Sequence, residues 1–78
     1  MKLYDTSKEL TFDDYKPLNY SLKDYSIAEL EMLADNLQAA IENGFMYGND
    51  FLCMALDMDL KKVELNIKMK QRKAKKEG

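Results

Sequence analysis

Residues 25–30 carry two independent signals for the start of a helix. Ser26 and Glu29 have the spacing of a capping box, in which the serine hydroxyl accepts from the glutamate amide and the glutamate carboxylate accepts from the serine amide. Tyr25 and Leu30 occupy the two positions of a hydrophobic staple around this box. A helix that starts here must bury the apolar face that follows, so these residues constrain the fold more than any other stretch.

The apolar residues after this start recur with the period of an α-helix. Seven of them fall on one face at 100° per residue: Ile27, Leu30, Leu33, Ala34, Leu37, Ala40 and Ile41. Asn43 and Gly44 come next, and either can adopt the positive φ at which many helices end. The first helix is therefore predicted to be amphipathic and to span about 26–43.

A second helix is predicted over about 50–72, because Asn49 or Asp50 can cap its first turn. The short connection favours antiparallel packing of the two helices. The second helix has apolar stripes on two nearly opposite sides. One stripe consists of Leu52, Leu56, Leu60, Val63 and Ile67. The other, which we call the Met-rich face, consists of Phe51, Met54, Met58, Leu65 and Met69. The first helix can cover only one of them.

The expected fold is all-α, an antiparallel two-helix hairpin. Residues 1–25 form an irregular, aromatic-rich N-terminal arm, and residues 68–78 form a basic tail that is helical or disordered. Residues 1–67 are expected to form one small helical domain. A chain of this length buries only about 60% of its unfolded surface, so association with a partner or a second copy would enlarge a thin core. The arm either completes the core of the hairpin or wraps the Met-rich face.

The chain lacks the side chains that most enzymes use. It contains no histidine, the commonest general base near neutral pH and the commonest zinc ligand. As a nucleophile, Cys53 would need a base or a cation beside it, but its charged sequence neighbours are Asp50 and Asp57. We therefore expect a structural cysteine, no enzyme activity, and no cofactor, metal ion or small-molecule substrate.

The apolar pattern and the single cysteine also predict the cellular compartment of the chain. No apolar run approaches the roughly 20 residues that span a bilayer, and the first residues lack the hydrophobic stretch of a signal peptide. A single cysteine cannot form an intramolecular disulfide, which favours a reducing compartment. The expected location is the cytoplasm, without a membrane partner.

Charge is sorted by position along the chain. Residues 1–60 contain four lysines and twelve carboxylates, whereas residues 61–78 contain eight Lys or Arg and two carboxylates. The basic segment offers candidate phosphate contacts at Lys68, Lys70, Arg72, Lys73, Lys75 and Lys76. One function is therefore a nucleic-acid-binding accessory protein. The alternative is a solvated helix end whose cations complement the helix dipole.

The acidic part of the chain suggests a different function. Six carboxylates are candidates for a negative surface: Asp13, Asp14, Glu29, Glu31, Asp35 and Glu42. Such a surface could imitate nucleic-acid phosphate and occupy a basic cleft on a target.

The leading hypothesis depends on the Met-rich face. Methionine is flexible and polarizable, so it suits a surface that adapts to a partner. We expect a non-enzymatic protein-binding regulator, an inhibitor or adaptor of a larger protein, and the same face also suits a homodimer. Small size and missing catalytic groups are typical of regulators that phages and mobile elements encode.

Overall fold

A computed structural model of the chain describes residues 3–18 and 22–77, with side chains described as far as residue 74. These residues form two short 3₁₀ turns, Phe12–Asp14 and Leu22–Asp24, followed by two α-helices. Helix α1 is Ile27–Met46 and helix α2 is Asp50–Glu77. The described part of the chain has no strand, and α1 packs along α2. The prediction of an all-α hairpin with an irregular N-terminal arm is therefore confirmed.

Helix α1 begins where the capping box predicts. Ser26 has the extended backbone of an N-cap, its hydroxyl accepts from the Glu29 amide at 3.1 Å, and Glu29 Oε1 accepts from the Ser26 amide at 3.1 Å. The bond from the Ser26 amide lowers the pKa of the Glu29 carboxyl. The charged form of Glu29 therefore helps to hold the start of the helix.

The predicted end of α1 at residue 43 is wrong, because the helix continues to Met46. Among the described residues, the one with positive φ is Gly48, at +73°. Gly44 has a different role, since a Cβ atom there would lie 2.9 Å from the Sγ of Cys53 on α2. Asn43 is a buried hydrogen-bonding residue of the helix. Glycine at position 44 thus permits close approach of the helices, and Gly48 provides the turn.

Helix α2 starts at the predicted cap and ends later than predicted. The Asn49 side chain accepts from the Leu52 amide at 3.2 Å, and the helix then runs to Glu77, past the predicted end at residue 72. Between residues 68 and 77 the sequence has only Lys, Met, Gln, Arg, Ala and Glu, all good helix formers. Because nothing there breaks the helix, the basic segment continues α2.

The core lies between the helices and beneath the arm. Its buried apolar side chains are Tyr4, Leu10, Leu22, Leu30, Leu33, Leu37, Ala40, Leu52, Leu56, Leu60 and Val63. The leucine-rich stripe of α2 therefore faces α1, as expected, and the arm contributes Tyr4, Leu10 and Leu22 to the core. Fully burying a leucine contributes about 1.5–3 kcal/mol, so the arm is a substantial part of the fold. Neither α1 nor α2 is long and apolar enough to cross a membrane.

Candidate protein-binding face

The arm is attached to α1 by two buried asparagines. The first is Asn36, whose Oδ1 accepts from the amides of Leu3 at 2.7 Å and Tyr4 at 2.8 Å. Its Nδ2 donates to the Tyr4 carbonyl oxygen at 3.0 Å. One side chain thus pairs with the backbone of an extended segment in much the way that a neighbouring strand would.

The second asparagine lies two helical turns later on the same side of α1. Asn43 Oδ1 accepts from the Leu10 amide at 3.0 Å, while its Nδ2 donates to the carbonyl oxygens of Lys8 at 2.7 Å and Thr6 at 3.4 Å. These bonds satisfy backbone groups that would otherwise be buried without partners. Together the two asparagines fix the path of residues 3–10 along α1.

Two tyrosines complete the attachment. The Tyr4 hydroxyl donates to the carbonyl oxygen of Lys16 and accepts from its amide, which closes the arm on itself. The Tyr15 hydroxyl donates to Oδ2 of Asp59 on α2 at 2.9 Å, and Asp59 is only 3% exposed. Burial, and then the hydrogen bond to Asp59, raise the pKa of Tyr15 to about 12. The arm therefore covers α1 and one flank of α2.

The Met-rich face lies outside the area that the arm covers. Its five side chains are between 56% and 78% exposed. At 100° per residue they fall within a sector of about 60° on α2, and at 1.5 Å per residue they extend over roughly 27 Å. The face is thus a long, narrow apolar surface on a helix whose opposite side is held in the core.

The charges next to the Met-rich face are positive. Lys61, Lys62 and Arg72 lie within the sector or about 20° outside it, and all three are exposed. Lys61 also pairs with Asp57 on its own helix at 3.1 Å. Lys62 Nζ lies 4.0 Å from Asp59 Oδ1. A partner for this face therefore meets methionine and phenylalanine side chains interspersed with lysine and arginine.

The last two residues of α1 and the residue after them carry further exposed apolar side chains that the sequence reasoning missed. Phe45 is 80% exposed, Met46 75% and Tyr47 50%, and only Gly48 and Asn49 separate them from the start of α2. The sequence predicts only a short connection between the helices over residues 45–49. The signal was three consecutive large apolar residues in a segment where polar turn residues are usual.

The basic candidates do not form one strip. On a helical wheel Lys68 and Arg72 share a side of α2, while Lys70 lies on another side and donates to the Lys23 carbonyl oxygen at 2.7 Å. Lys73 is exposed on α2. The side chains of Lys75 and Lys76 lie outside the part of the structure that is described. The cations thus surround the end of α2, and their role in nucleic-acid binding stays a prediction.

Only half of the acidic candidates come together. Glu31, Asp35 and Glu42 lie within a narrow sector of α1. The other three lie elsewhere. Asp13 is exposed in the first 3₁₀ turn, Asp14 accepts from the Thr11 amide and pairs with Lys8, and Glu29 caps α1. The bond from the Thr11 backbone lowers the pKa of Asp14. The acidic-mimic function also stays a prediction.

Cys53 has the environment of a structural thiol. Its Sγ donates to the Ile41 carbonyl oxygen at 3.3 Å, and burial, with the charge of Asp50, raises the pKa of the thiol. Among the residues that the structure describes, no group of three or more His, Cys, Asp or Glu could hold a metal ion.

No protein-family model matches the chain, and no curated protein or solved structure is significantly similar to it.

Proposed function

We propose that this chain is a non-enzymatic protein-binding regulator that acts as an inhibitor or adaptor of a larger protein through the Met-rich face of α2. The observation that carries the proposal is the exposure of five large apolar side chains in one narrow sector of a helix whose other side is anchored in the core. Large contiguous apolar surfaces on small proteins are usually interaction sites. Phe45, Met46 and Tyr47 are further exposed apolar side chains, at the end of the hairpin where α1 ends and α2 begins.

The physical chemistry of the face suits recognition of another protein. Methionine side chains adapt to the shape of a partner at little cost, and a preformed helix loses little conformational entropy on binding. The anchored arm holds α1 against α2, so the face is presented on a rigid support. The charges at its edge favour a partner with an apolar groove bordered by carboxylates.

The absence of enzyme activity and a cytoplasmic location are parts of the same proposal. The sequence has no histidine, and the raised pKa of the Cys53 thiol disfavours the thiolate that a nucleophile requires. A single cysteine held by a backbone carbonyl is consistent with a reducing compartment.

The experiment is affinity purification of the tagged chain from its native cells with nuclease present, followed by reconstitution with the purified partner. Met58→Glu places a charge at the centre of the Met-rich face. Met32→Glu is the matched control, because Met32 is 56% exposed but lies on α1. We expect a stoichiometric partner whose affinity falls at least tenfold with Met58→Glu and is unchanged with Met32→Glu. Equal affinity for both variants would refute the proposal.

Nucleic-acid binding by the basic segment can be distinguished from protein binding by the Met-rich face. The better change is to neutralise basic residues and leave α2 at full length. Deletion after residue 67 would remove the bond from Lys70 to Lys23, and Arg72 lies within the sector of the Met-rich face, so Lys73→Gln with Lys75→Gln is the cleaner change. Phosphate-driven binding should lose affinity and show a shallower salt dependence in this variant. Binding through the Met-rich face should survive it or weaken only slightly.

A further inference from the structure

The exposed apolar residues of α2 are spaced symmetrically about the midpoint of residues 61–62. Met58 and Leu65 lie equally far from this midpoint, and so do Met54 and Met69. If two copies of α2 lie antiparallel with their midpoints together, Met58 of one copy packs beside Leu65 of the other, and Met54 packs beside Met69. Every exposed methionine of the face then meets an apolar residue of the second copy.

The same symmetry extends by one turn at each end. Phe51 lies as far before the midpoint as Arg72 lies after it, and both side chains are exposed. In the antiparallel arrangement the guanidinium of one copy meets the aromatic ring of the other, which is a favourable cation–π pair. The symmetric surface thus runs from residue 51 to residue 72, roughly 31 Å along the helix.

The charges on one flank of the face are also self-complementary. Asp57, Lys61, Glu64 and Lys68 are exposed and alternate in sign along this flank. Antiparallel packing brings the same flank of the two copies together, with Asp57 near Lys68 of the second copy and Lys61 near Glu64 of the second copy. The offset of these pairs along the axis is only about 3 Å, which long side chains can bridge. Each carboxylate therefore has a cation opposite it, although Lys61 of the two copies also approach each other near the axis.

A parallel arrangement lacks this match. It would bring the flank of alternating charges against the opposite flank of α2, where the exposed charged residues are Lys62 and Lys73. Lys61 of one copy would then lie beside Lys62 of the other, and the cation nearest to Asp57 on that flank, Lys62, would be about 7.5 Å away along the axis instead of about 3 Å. The sequence of charges thus favours one orientation as well as one register.

We infer that the Met-rich face binds a second copy of this chain, with the two α2 helices antiparallel about a two-fold axis at residues 61–62. The inference rests on the proposed function, because it names a partner for the same face. Specific interfaces usually bury about 800 Å² on each partner, and a contact along a single helix approaches this area only with its flanking side chains. Lys62 of the two copies also approach near the axis. The dimer is therefore weak, with a Kd in the micromolar range or above.

The first test is sedimentation equilibrium of the whole chain between about 10 µM and about 1 mM, a range that brackets such a Kd. We expect a reversible monomer–dimer equilibrium. Met58→Glu should weaken it by about tenfold or more, and Lys62→Leu should strengthen it by removing like charges near the axis. Helix content by circular dichroism verifies that each variant is folded. A wild-type chain that is monomeric at about 1 mM, where even a weak dimer would form, would overturn the inference.

The second test determines orientation and register by exchanging charges. Asp57→Lys alone and Lys68→Asp alone each place two like-charge pairs in an antiparallel homodimer. A mixture of the two variants restores both pairs, but only in the heterodimer. There the lysine substituted at position 57 of one chain faces the aspartate substituted at position 68 of the other, and the unchanged Lys68 and Asp57 face each other. We expect each variant to be largely monomeric and the mixture to dimerise at about the wild-type Kd. If mixing does not restore association, the antiparallel arrangement is wrong.

These variants also distinguish the inference from the proposed function. Asp57→Lys disrupts the dimer but leaves all five apolar side chains of the Met-rich face in place. Suppose that the wild-type chain is monomeric, and that Met58→Glu but not Asp57→Lys abolishes binding of a larger partner. This result would overturn the dimer and retain the regulator. A dimer sensitive to Asp57→Lys, with no larger partner, would support the dimer and remove the regulator.

Discussion

Replacing Asn43 with leucine should detach the N-terminal arm without unfolding α1. Leucine fits a helix better than asparagine, so the helix itself loses nothing. The change removes the acceptor for the Leu10 amide and the donor for the carbonyl oxygens of Thr6 and Lys8. These backbone groups could then form hydrogen bonds only with water, which requires the arm to move away from the helix.

The size of the effect follows from the number of groups left unpaired. The Leu10 side chain is fully buried, so its amide cannot be solvated while the side chain stays in the core. Each buried group that loses its hydrogen-bond partner costs about 1–3 kcal/mol. If Leu10 instead leaves the core, the lost burial of its side chain costs a similar free energy. We expect a loss of about 2–3 kcal/mol. For a domain of this size the urea slope is about 1 kcal/mol per molar, so the midpoint should fall by about 2–3 M.

Urea unfolding followed by circular dichroism measures the loss, and amide hydrogen exchange localises it. Exchange should accelerate at Leu10 before it does in α1. Gln38→Leu is the control, because this position on α1 is exposed, and its midpoint should change little. Asn36→Leu should have a comparable effect, and the double variant should lose less than the sum, since both asparagines hold one segment. A midpoint unchanged by Asn43→Leu, with the Leu10 amide still protected, would refute this account.

Three further predictions concern the hairpin and its contact with the arm. Gly44→Ala should destabilise the wild type by about 1 kcal/mol in urea unfolding, because the cost of overpacking against Cys53 exceeds the gain in helix propensity. The same change should be stabilising in a Cys53→Ala background, where the obstructing Sγ is absent. Gly48→Ala should cost about 1–2 kcal/mol in the same assay, with no rescue by Cys53→Ala, since its φ of +73° strains any residue with a Cβ. Because the folded pKa of Tyr15 is raised from 10.0 to about 12, the stability from its protonated hydroxyl on Asp59 is complete below about pH 10 and is lost as the pH rises towards 12. The loss should be at most about 2–3 kcal/mol, and a Tyr15→Phe variant that showed the same decline would exclude Tyr15 as its cause.

The features that the sequence predicted correctly are governed by local chemistry. The start of α1 depends on four residues within a span of six, and each of the bonds in the capping box joins neighbours in the chain. The choice of the leucine-rich stripe of α2 as core follows equally from its period and composition. Such signals do not depend on how distant parts of the chain are arranged, and for that reason they can be read before the fold is known.

The features that were missed depend on contacts between distant residues. Asn43 and Gly44 resemble a helix end when read alone, and only the arm and α2 show that they are interior residues. Asn36 has no sequence signal beyond being a polar residue on a mostly apolar side of α1. Its partners are 32 and 33 residues away. Nothing in the local sequence distinguishes an asparagine that binds a distant backbone from one that faces water.

These same asparagines explain why the Met-rich face is uncovered. An arm held only by apolar contacts could have packed against either stripe of α2. Asn36 and Asn43 lie on α1, so the backbone that they bind must run along α1. The bond from Tyr15 to Asp59 then extends the arm to only one flank of α2. Six hydrogen bonds from two side chains thus decide which apolar surface is completed inside the molecule and which remains for a partner.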